Sequence, residues 1–268
     1  MNVVRLEPVL ARAWAGQDPF EAARTQPGEL AKSKDGRRTL RFELAGRGAY
    51  LKYHPGVGWR EIVKNLVQLR LPVADAGQEY RAARHLGAHG VAALRPLGYG
   101  VSGANPAARR SFLVTEELAG TVSLERFCAG WRERPPAPRV RRLLIEAVAR
   151  LVRALHAAGV NHRDLYLCHI LLEEPSLAAA RRATEVRLHL IDLHRAQIRA
   201  RVPRRWLAKD LGGLWFSAAP CALGPRDLLR FLRAYLGSPL RATLARERRL
   251  LAAAARRRDA LHARSRAC

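Results

Sequence analysis

The sequence predicts an α+β fold in two lobes: a small, mainly antiparallel β lobe over residues 1–117 and a larger helical lobe over 118–268. Three stretches predict it. Thr39-Leu40-Arg41-Phe42-Glu43-Leu44 alternates apolar and polar side chains, Ala45-Gly46-Arg47-Gly48 turns, and Ala49-Tyr50-Leu51-Lys52-Tyr53 alternates again, the period of a half-buried hairpin. Residues 139–158 place Val140, Leu144, Ala147, Val148, Leu151, Val152 and Leu155 on one face of a helix. Between the two, Thr115-Glu116-Glu117-Leu118-Ala119-Gly120 leaves a strand and reaches a glycine, the pattern of a hinge.

Taken in order, residues 1–30 show little periodicity, although Trp14 and Phe20 suit packing and Asp18-Pro19 suits a turn or helix start. Lys32 to Arg38 reads as a basic loop around Gly36, ahead of the hairpin. Residues 57–71 predict an amphipathic helix, with Trp59, Ile62, Val63, Leu66 and Leu69 at helical spacing and Arg60, Lys64 and Arg70 between them. Its stripe fits a core-facing helix or a basic helix lying on a membrane surface. Pro72 ends it. A second helix over about 77–88 carries Glu79, and 91–100 and 111–118 alternate as strands. Thr121 or Ser123 can cap a helix over 124–131. Gly159 stops the long helix, 173–185 reads as an Ala- and Arg-rich loop, and 186–192 as a strand ending in Asp192. Phe216–Ser217, Asp227–Tyr235 and Leu240–Leu261 are helical pieces of the tail.

Composition narrows the function classes. The chain has 268 residues, enough for a sizeable core, and carries a net charge of +25. That charge favours anionic partners such as phosphates, membrane surfaces or acidic proteins. Basic patches interleaved with aromatics are missing, so nucleic acid is not the expected partner. No apolar run is long enough to span a membrane, and Arg5 and Glu7 interrupt the first apolar run, which argues against a secretory signal. A cytoplasmic location is expected. Cys128, Cys168, Cys221 and Cys268 are scattered without a C-x-x-C pair, so reduced thiols are expected rather than a disulfide framework or a zinc site.

The chemistry concentrates in residues 159–172, GVNHRDLYLCHILL. His162-Arg163-Asp164 resembles the catalytic loop of the protein-kinase-like fold, in which an Asn that binds metal stands five residues after the Asp. Here that position is His169. Phosphoryl transfer needs cations against a triphosphate, carboxylates for metal and an oriented nucleophile. Lys52, late in the hairpin, stands where such a lobe puts its phosphate-binding lysine, and Glu79 is expected to hold it, with Glu61 as the rival. A surface strand lysine is the plainer reading of Lys52. Asp164 would accept or orient the acceptor's proton, unless it merely caps a helix. Asp192 would bind magnesium, and His169 stands where a second magnesium ligand is expected; because this ion prefers oxygen to imidazole, His169 is also a candidate to bond a phosphate or the Asp192 carboxylate, leaving a one-metal site. Lys34 and Gly36 would cover the nucleotide phosphates, and Glu117, at the hinge, would contact the nucleotide.

Three blocks carry a closer resemblance: LKYHPGVGWREIVKNLVQLRLPV at 51–73, GVNHRDLYLCHILL at 159–172, and IDLHRAQIR through VPRRWLAKDLGGLWFS at 191–217. On these the chain resembles the bacterial lipopolysaccharide core heptose(I) kinases. The resemblance implies a bilobal kinase-like fold, ATP and Mg2+ as cofactors, and phosphorylation of the first heptose of the inner core. It implies work on the cytoplasmic face of the inner membrane, with the core glycolipid as acceptor and Lys52, Asp164, Asp192 and His169 in their family positions. An acidic protein partner suits the charge. Two readings of other classes stand beside it: a kinase for a protein tyrosine or an aminoglycoside-like molecule, and a catalytically silent module bound to anionic membrane.

Overall fold

Strand pairing in the N-terminal part follows the predicted hairpin. The computed structural model describes residues 2–34, 37–56, 58–59, 75–105, 107–179, 186–237 and 239–266. The predicted helix over 57–71 lies almost wholly outside the described residues, as do Glu61 and Gly36. The chain divides into two units. The first takes Met1–His85, Leu94–Ala119 and Leu193–Arg195; the second takes Leu86–Ala93, Gly120–Asp192 and Ala196–Cys268. These are not the two continuous halves that the sequence suggests. Leu86–Ala93 joins the second unit because Ala93 bridges Leu190 in parallel and the Leu190 amide donates to the Ala92 carbonyl at 3.0 Å.

The first unit contains β1 (Asn2–Leu6), α1 (Pro8–Ala13), α2 (Pro19–Thr25), β2 (Glu29–Lys34), β3 (Arg37–Leu44), β4 (Arg47–His54), most of α3 (Gly77–Ala88), β5 (Pro96–Ser102) and β6 (Arg110–Glu116). Its six-stranded sheet has the order β1-β5-β6-β4-β3-β2 with every neighbouring pair antiparallel. The helices start as the sequence suggests: the Asp18 carboxylate accepts from the Phe20 and Glu21 amides at 3.0 Å and caps α2. Trp14 and Phe20 both meet Phe112 edge-on with centroids 5.4 Å apart, which fixes the otherwise unreadable N-terminal segment to the sheet. The expected loop from Lys32 to Arg38 is corrected. Lys32 and Lys34 lie on edge strand β2, in register with Thr39 and Arg37. Its exposed residues, Leu30 among them, give no buried face for alternation to reveal.

The second unit contains β7 (Thr121–Ser123), α4 (Leu124–Phe127), α5 (Pro138–Ala157), β8 (Val160–Asn161), β9 (Ile170–Glu173), α6 (Glu174–Ala179), β10 (Leu188–Leu190), β11 (Gln197–Ile198), α7 (Arg204–Ser217), α8 (Pro225–Leu236) and α9 (Leu240–Arg266). Strands pair in two small antiparallel sheets, β10-β9-β7 and β11-β8. Helix α5 buries the predicted face, Leu144 through Leu155. Gly159 then turns the chain into β8 at φ 74°, and a Cβ there would collide with the Arg199 carbonyl. Helix α7, unlike α5, extends far beyond the two residues that the sequence marks as helical. Two adjacent glycines and a buried acid obscure its stripe, yet both glycines allow close packing: a Cβ on Gly212 would lie 2.7 Å from the Ala254 carbonyl oxygen. Leu144, Val148, Leu214 and Phe231 help to line an apolar cavity of about 480 Å³ inside this unit.

Candidate active site

In the first unit, alternation along β4 sends Ala49, Leu51 and Tyr53 into the core and leaves Lys52 on the opposite face. There its Nζ meets the Glu79 carboxylate at 2.7 Å. Glu79 sits in the first turn of α3, and its side chain is 3% exposed against 27% for Lys52. A carboxylate so deeply buried needs a cation, and Lys52 supplies it while keeping part of its side chain accessible. The structure therefore pairs Lys52 with the predicted partner. Glu117, the residue after β6, is held differently. Its carboxylate accepts two bonds from Arg41, at 2.8 and 2.7 Å, and its amide donates to the Gly48 carbonyl at 2.9 Å. The Arg41 hydrogen bonds hold the Glu117 carboxyl below its usual range. Beside Lys52, burial first and then the charges of Arg37 and Lys52 push His54 down to about 4. Lys34 ends β2, and Gly36 lies outside the described residues.

In the second unit, the segment between β8 and β9 is fixed from three sides. The Asp210 carboxylate, fully buried in α7, accepts from the His162 amide at 2.7 Å and from the Arg163 amide at 2.8 Å. Arg163 takes φ 72°, a conformation that a non-glycine residue adopts only when its surroundings impose it. His162 donates through Nε2 to the Ile191 carbonyl at 3.0 Å, and the Ile191 amide donates to the His169 carbonyl at 3.1 Å. Together these bonds tie the Asp164 segment to the backbone just before Asp192. Burial lowers the pKa of His162, so the ring is neutral and acts as a strut.

His169 links the two aspartates. Its ring stacks on His162 with centroids 5.7 Å apart and planes 8° from parallel. Nδ1 lies 2.7 Å from the Asp164 carbonyl oxygen, which can only accept, so Nδ1 carries the proton in this bond. Nε2 then faces the Asp192 carboxylate at 3.3 Å. Two acceptors at that distance need either a proton on Nε2 or a cation that both atoms share. Asp192 itself is at φ 59°, a second imposed left-handed residue. The structure thus brings Asp164, His169 and Asp192 together through side-chain and backbone contacts.

Sequence reasoning missed Asp210. It also missed the polar chain behind it: His156 Nε2 lies 3.3 Å from Asp210, and His156 Nδ1 lies 2.8 Å from the Tyr235 hydroxyl. One signal was present, an acid flanked by Ala208, Leu211 and Leu214, where a solvent-facing helix would not put it. Elsewhere on this unit, Arg142, Arg150 and Arg153 of α5 and Arg226, Arg230 and Arg233 of α8 line one open groove.

A lysine bound to a helix carboxylate on a β unit, followed in the chain by an Asp-bearing loop and a second aspartate in a helical one, is the order of parts in protein-kinase-like phosphotransferases. The chain has that α+β, kinase-like fold. Comparison with known proteins narrows the class. The lipopolysaccharide kinase (Kdo/WaaP) family matches residues 21–235, and the chain belongs to that family. It is 50% identical over 264 residues to the lipopolysaccharide core heptose(I) kinase WaaP of Pseudomonas aeruginosa, covering 98% of this chain and 97% of that protein. It is 47% identical to the Escherichia coli K12 protein of the same name, covering 93% of each. A solved structure of WaaP in complex with acyl carrier protein matches with a TM-score of 0.81 at 45% identity, over 97% of this chain and 99% of that one.

Proposed function

We propose that this chain is an ATP-dependent kinase that phosphorylates the first heptose of the lipopolysaccharide inner core. The observation that carries the reading is near full-length similarity to heptose(I) kinases, at 46 to 50% identity, in a chain whose Lys52, Asp164 and Asp192 follow one another in the order of a kinase-like site. Lys52, held by Glu79, neutralises phosphate oxygens of the nucleotide. Asp164 orients the heptose hydroxyl and takes its proton as the phosphoryl group moves. Asp192 and the Nε2 of His169 form the cation-facing side of the site. Among the described residues no three His, Cys, Asp or Glu gather as a metal cage. A magnesium ion would therefore take most of its oxygens from phosphates and water, as this ion does at nucleotide sites, and would supply charge neutralisation there. Lys34 and Gly36 would contact the phosphates, and Glu117, fixed by Arg41, would contact the nucleotide.

The glycolipid acceptor stays in the bilayer, so the enzyme works at the cytoplasmic surface of the inner membrane as a peripheral protein. No helix among the described residues is long and apolar enough to cross. An acidic protein of the acyl carrier protein class is the proposed partner, since the related WaaP structure is a complex with one. The arginines of α5 and α8 offer it a complementary surface. Incubation with γ-labelled ATP and three acceptors tests the function: core glycolipid lacking heptose phosphate, a tyrosine peptide and an aminoglycoside. Label should enter the glycolipid alone. Label in the peptide or the aminoglycoside, with none in the glycolipid, refutes the reading.

A further inference from the structure

The pairing of Glu79 with Lys52 depends on where α3 lies, and the apolar contacts of this helix do not set that alone. Within the first unit the buried apolar residues of α3 are Ala82 and Ala83. Their methyl groups bury little area, and the attraction has no direction, so such a face lets a helix slide or turn on its sheet. Arg84 meets Glu7 at 3.5 Å, but both side chains are exposed and a pair of this kind holds little. The Glu79 carboxylate nevertheless meets Lys52 at 2.7 Å, a distance that tolerates no slippage of the helix.

The start of α3 supplies the constraint. Arg109 Nη1 donates to Asp75 Oδ2 at 3.2 Å, with the two side chains 30% and 17% exposed. Asp75 Oδ1 accepts from the Gly77 amide at 2.7 Å. The Ala76 amide donates to the hydroxyl of the fully buried Ser111 at 3.0 Å. Tyr80 stacks on Tyr99 of β5, with centroids 4.7 Å apart and planes 14° from parallel. The approach to that strand is so close that a Cβ on Gly77 would lie 2.6 Å from the Tyr99 hydroxyl oxygen. Asp75, Ala76 and Gly77 are thus all bound, and Glu79 follows in the same turn.

Strand β6 is the common reference. Ser111 lies on it, and Arg109 immediately precedes it. Leu113, on the same strand, stands in register opposite Lys52, and Ser111 stands opposite His54. One strand therefore places both members of the ion pair: Lys52 through the sheet, and Glu79 through the clamp on Asp75 and Ala76. The bond from Arg109 to Asp75 joins two charges in a partly buried place, where losing it costs more than losing a neutral bond. All of these residues belong to the first unit.

We propose that Arg109 is a positioning residue for phosphoryl transfer: through Asp75 it fixes the start of α3 on β6 and so keeps Glu79 on Lys52. The proposal rests on the reading of the chain as a kinase. It gives Arg109 no contact with nucleotide or acceptor, and Lys52 keeps the phosphate contact.

The test uses the full chain and two variants, each checked by its melting curve. Arg109→Gln removes the cation. Asp75→Asn keeps an oxygen for the Gly77 amide and loses the charge that Arg109 meets, so it carries the test should Arg109→Gln fail to fold. Trace acetylation with acetic anhydride, read at Lys52 by peptide mass spectrometry, reports the ion pair without any turnover. Labelling of Lys52 relative to the other lysines should rise about threefold to tenfold in both variants, as expected when one charge-assisted hydrogen bond stops holding the pair. The ratio of kcat to nucleotide KM should fall by a similar factor, with the acceptor KM within about twofold of wild type. In a Glu79→Gln background, where the pair is already broken, Arg109→Gln should change neither reading further. Lys52 labelling at the wild-type rate in the folded variants overturns the proposal even if they melt earlier, because that pattern marks a merely structural bond. A further loss of the same size in the Glu79→Gln background overturns it as well. A rise in labelling from a chain that transfers no phosphate supports the clamp and refutes the kinase reading instead.

Discussion

Asp210→Asn is the most informative single change. In the native site both carboxylate oxygens are committed, Oδ2 to the His162 amide at 2.7 Å and Oδ1 to the Arg163 amide at 2.8 Å, with His156 Nε2 at 3.3 Å. Asparagine keeps one acceptor oxygen and replaces the other with an NH2 group. One buried amide then faces a donor instead of an acceptor. An unsatisfied buried donor costs about 1–3 kcal/mol, and the surviving bond loses its charge assistance, worth about another 1 kcal/mol. The left-handed Arg163, whose conformation costs about 1–2 kcal/mol, is no longer imposed by its amide bond. We expect stability to fall by about 2–4 kcal/mol in urea denaturation. We also expect kcat to fall well beyond tenfold, because Asp164 follows directly on the released residue, with the nucleotide KM changing less. A variant within about 0.5 kcal/mol of wild type that also turns over at the wild-type rate would refute the claim that Asp210 holds the loop.

Other outcomes follow from the same geometry. Lys52→Met leaves the Glu79 carboxylate buried without its cation; turnover should fall by about two orders of magnitude or more, and nucleotide protection against thermal unfolding should disappear. Lys52→Met with unchanged kcat would remove the lysine from the phosphate role. His54, held near 4 when folded and near 6.5 when unfolded, binds its proton better in the unfolded chain. Its stability contribution is complete above about pH 6.5 and is lost as pH falls towards 4, a loss on the order of 3 kcal/mol. Denaturation midpoints at pH 7.5 and 5 should therefore diverge less in His54→Gln than in wild type, and equal divergence would contradict the assignment. Gly159→Ala should destabilise the chain by at least about 2 kcal/mol, since the left-handed backbone and the Arg199 carbonyl both oppose a Cβ; denaturant titration checks it.

The sequence made some parts of this molecule plain and hid others for physical reasons. The β3–β4 hairpin and α5 each bury one face and expose the other, so their periods survive in the residue order. Strand β2 has no buried face, and its pairing with β3 is a backbone matter that side-chain alternation cannot report. Helix α7 is covered on several sides, and its glycines and Asp210 serve contacts with the Asp164 loop and α9 rather than an apolar stripe. The pairing of Lys52 with Glu79 was readable because the chain order of strand and helix fixes the candidates. Asp210 was not, because nothing local says which backbone amides a buried acid will serve. His169 was recognised by its position, five residues after Asp164. Its bond to the Asp164 carbonyl and its approach to Asp192 needed the folded backbone.

We propose that this chain moves a phosphoryl group from ATP to the first core heptose and that Asp164 readies the acceptor. Mass spectrometry of core glycolipid after incubation with ATP, in parallel for wild type and Asp164→Ala, is the decisive measurement. Wild type should add one phosphate to the first heptose and the variant none. Phosphate at another sugar, or the same product formed by Asp164→Ala at the wild-type rate, would contradict it.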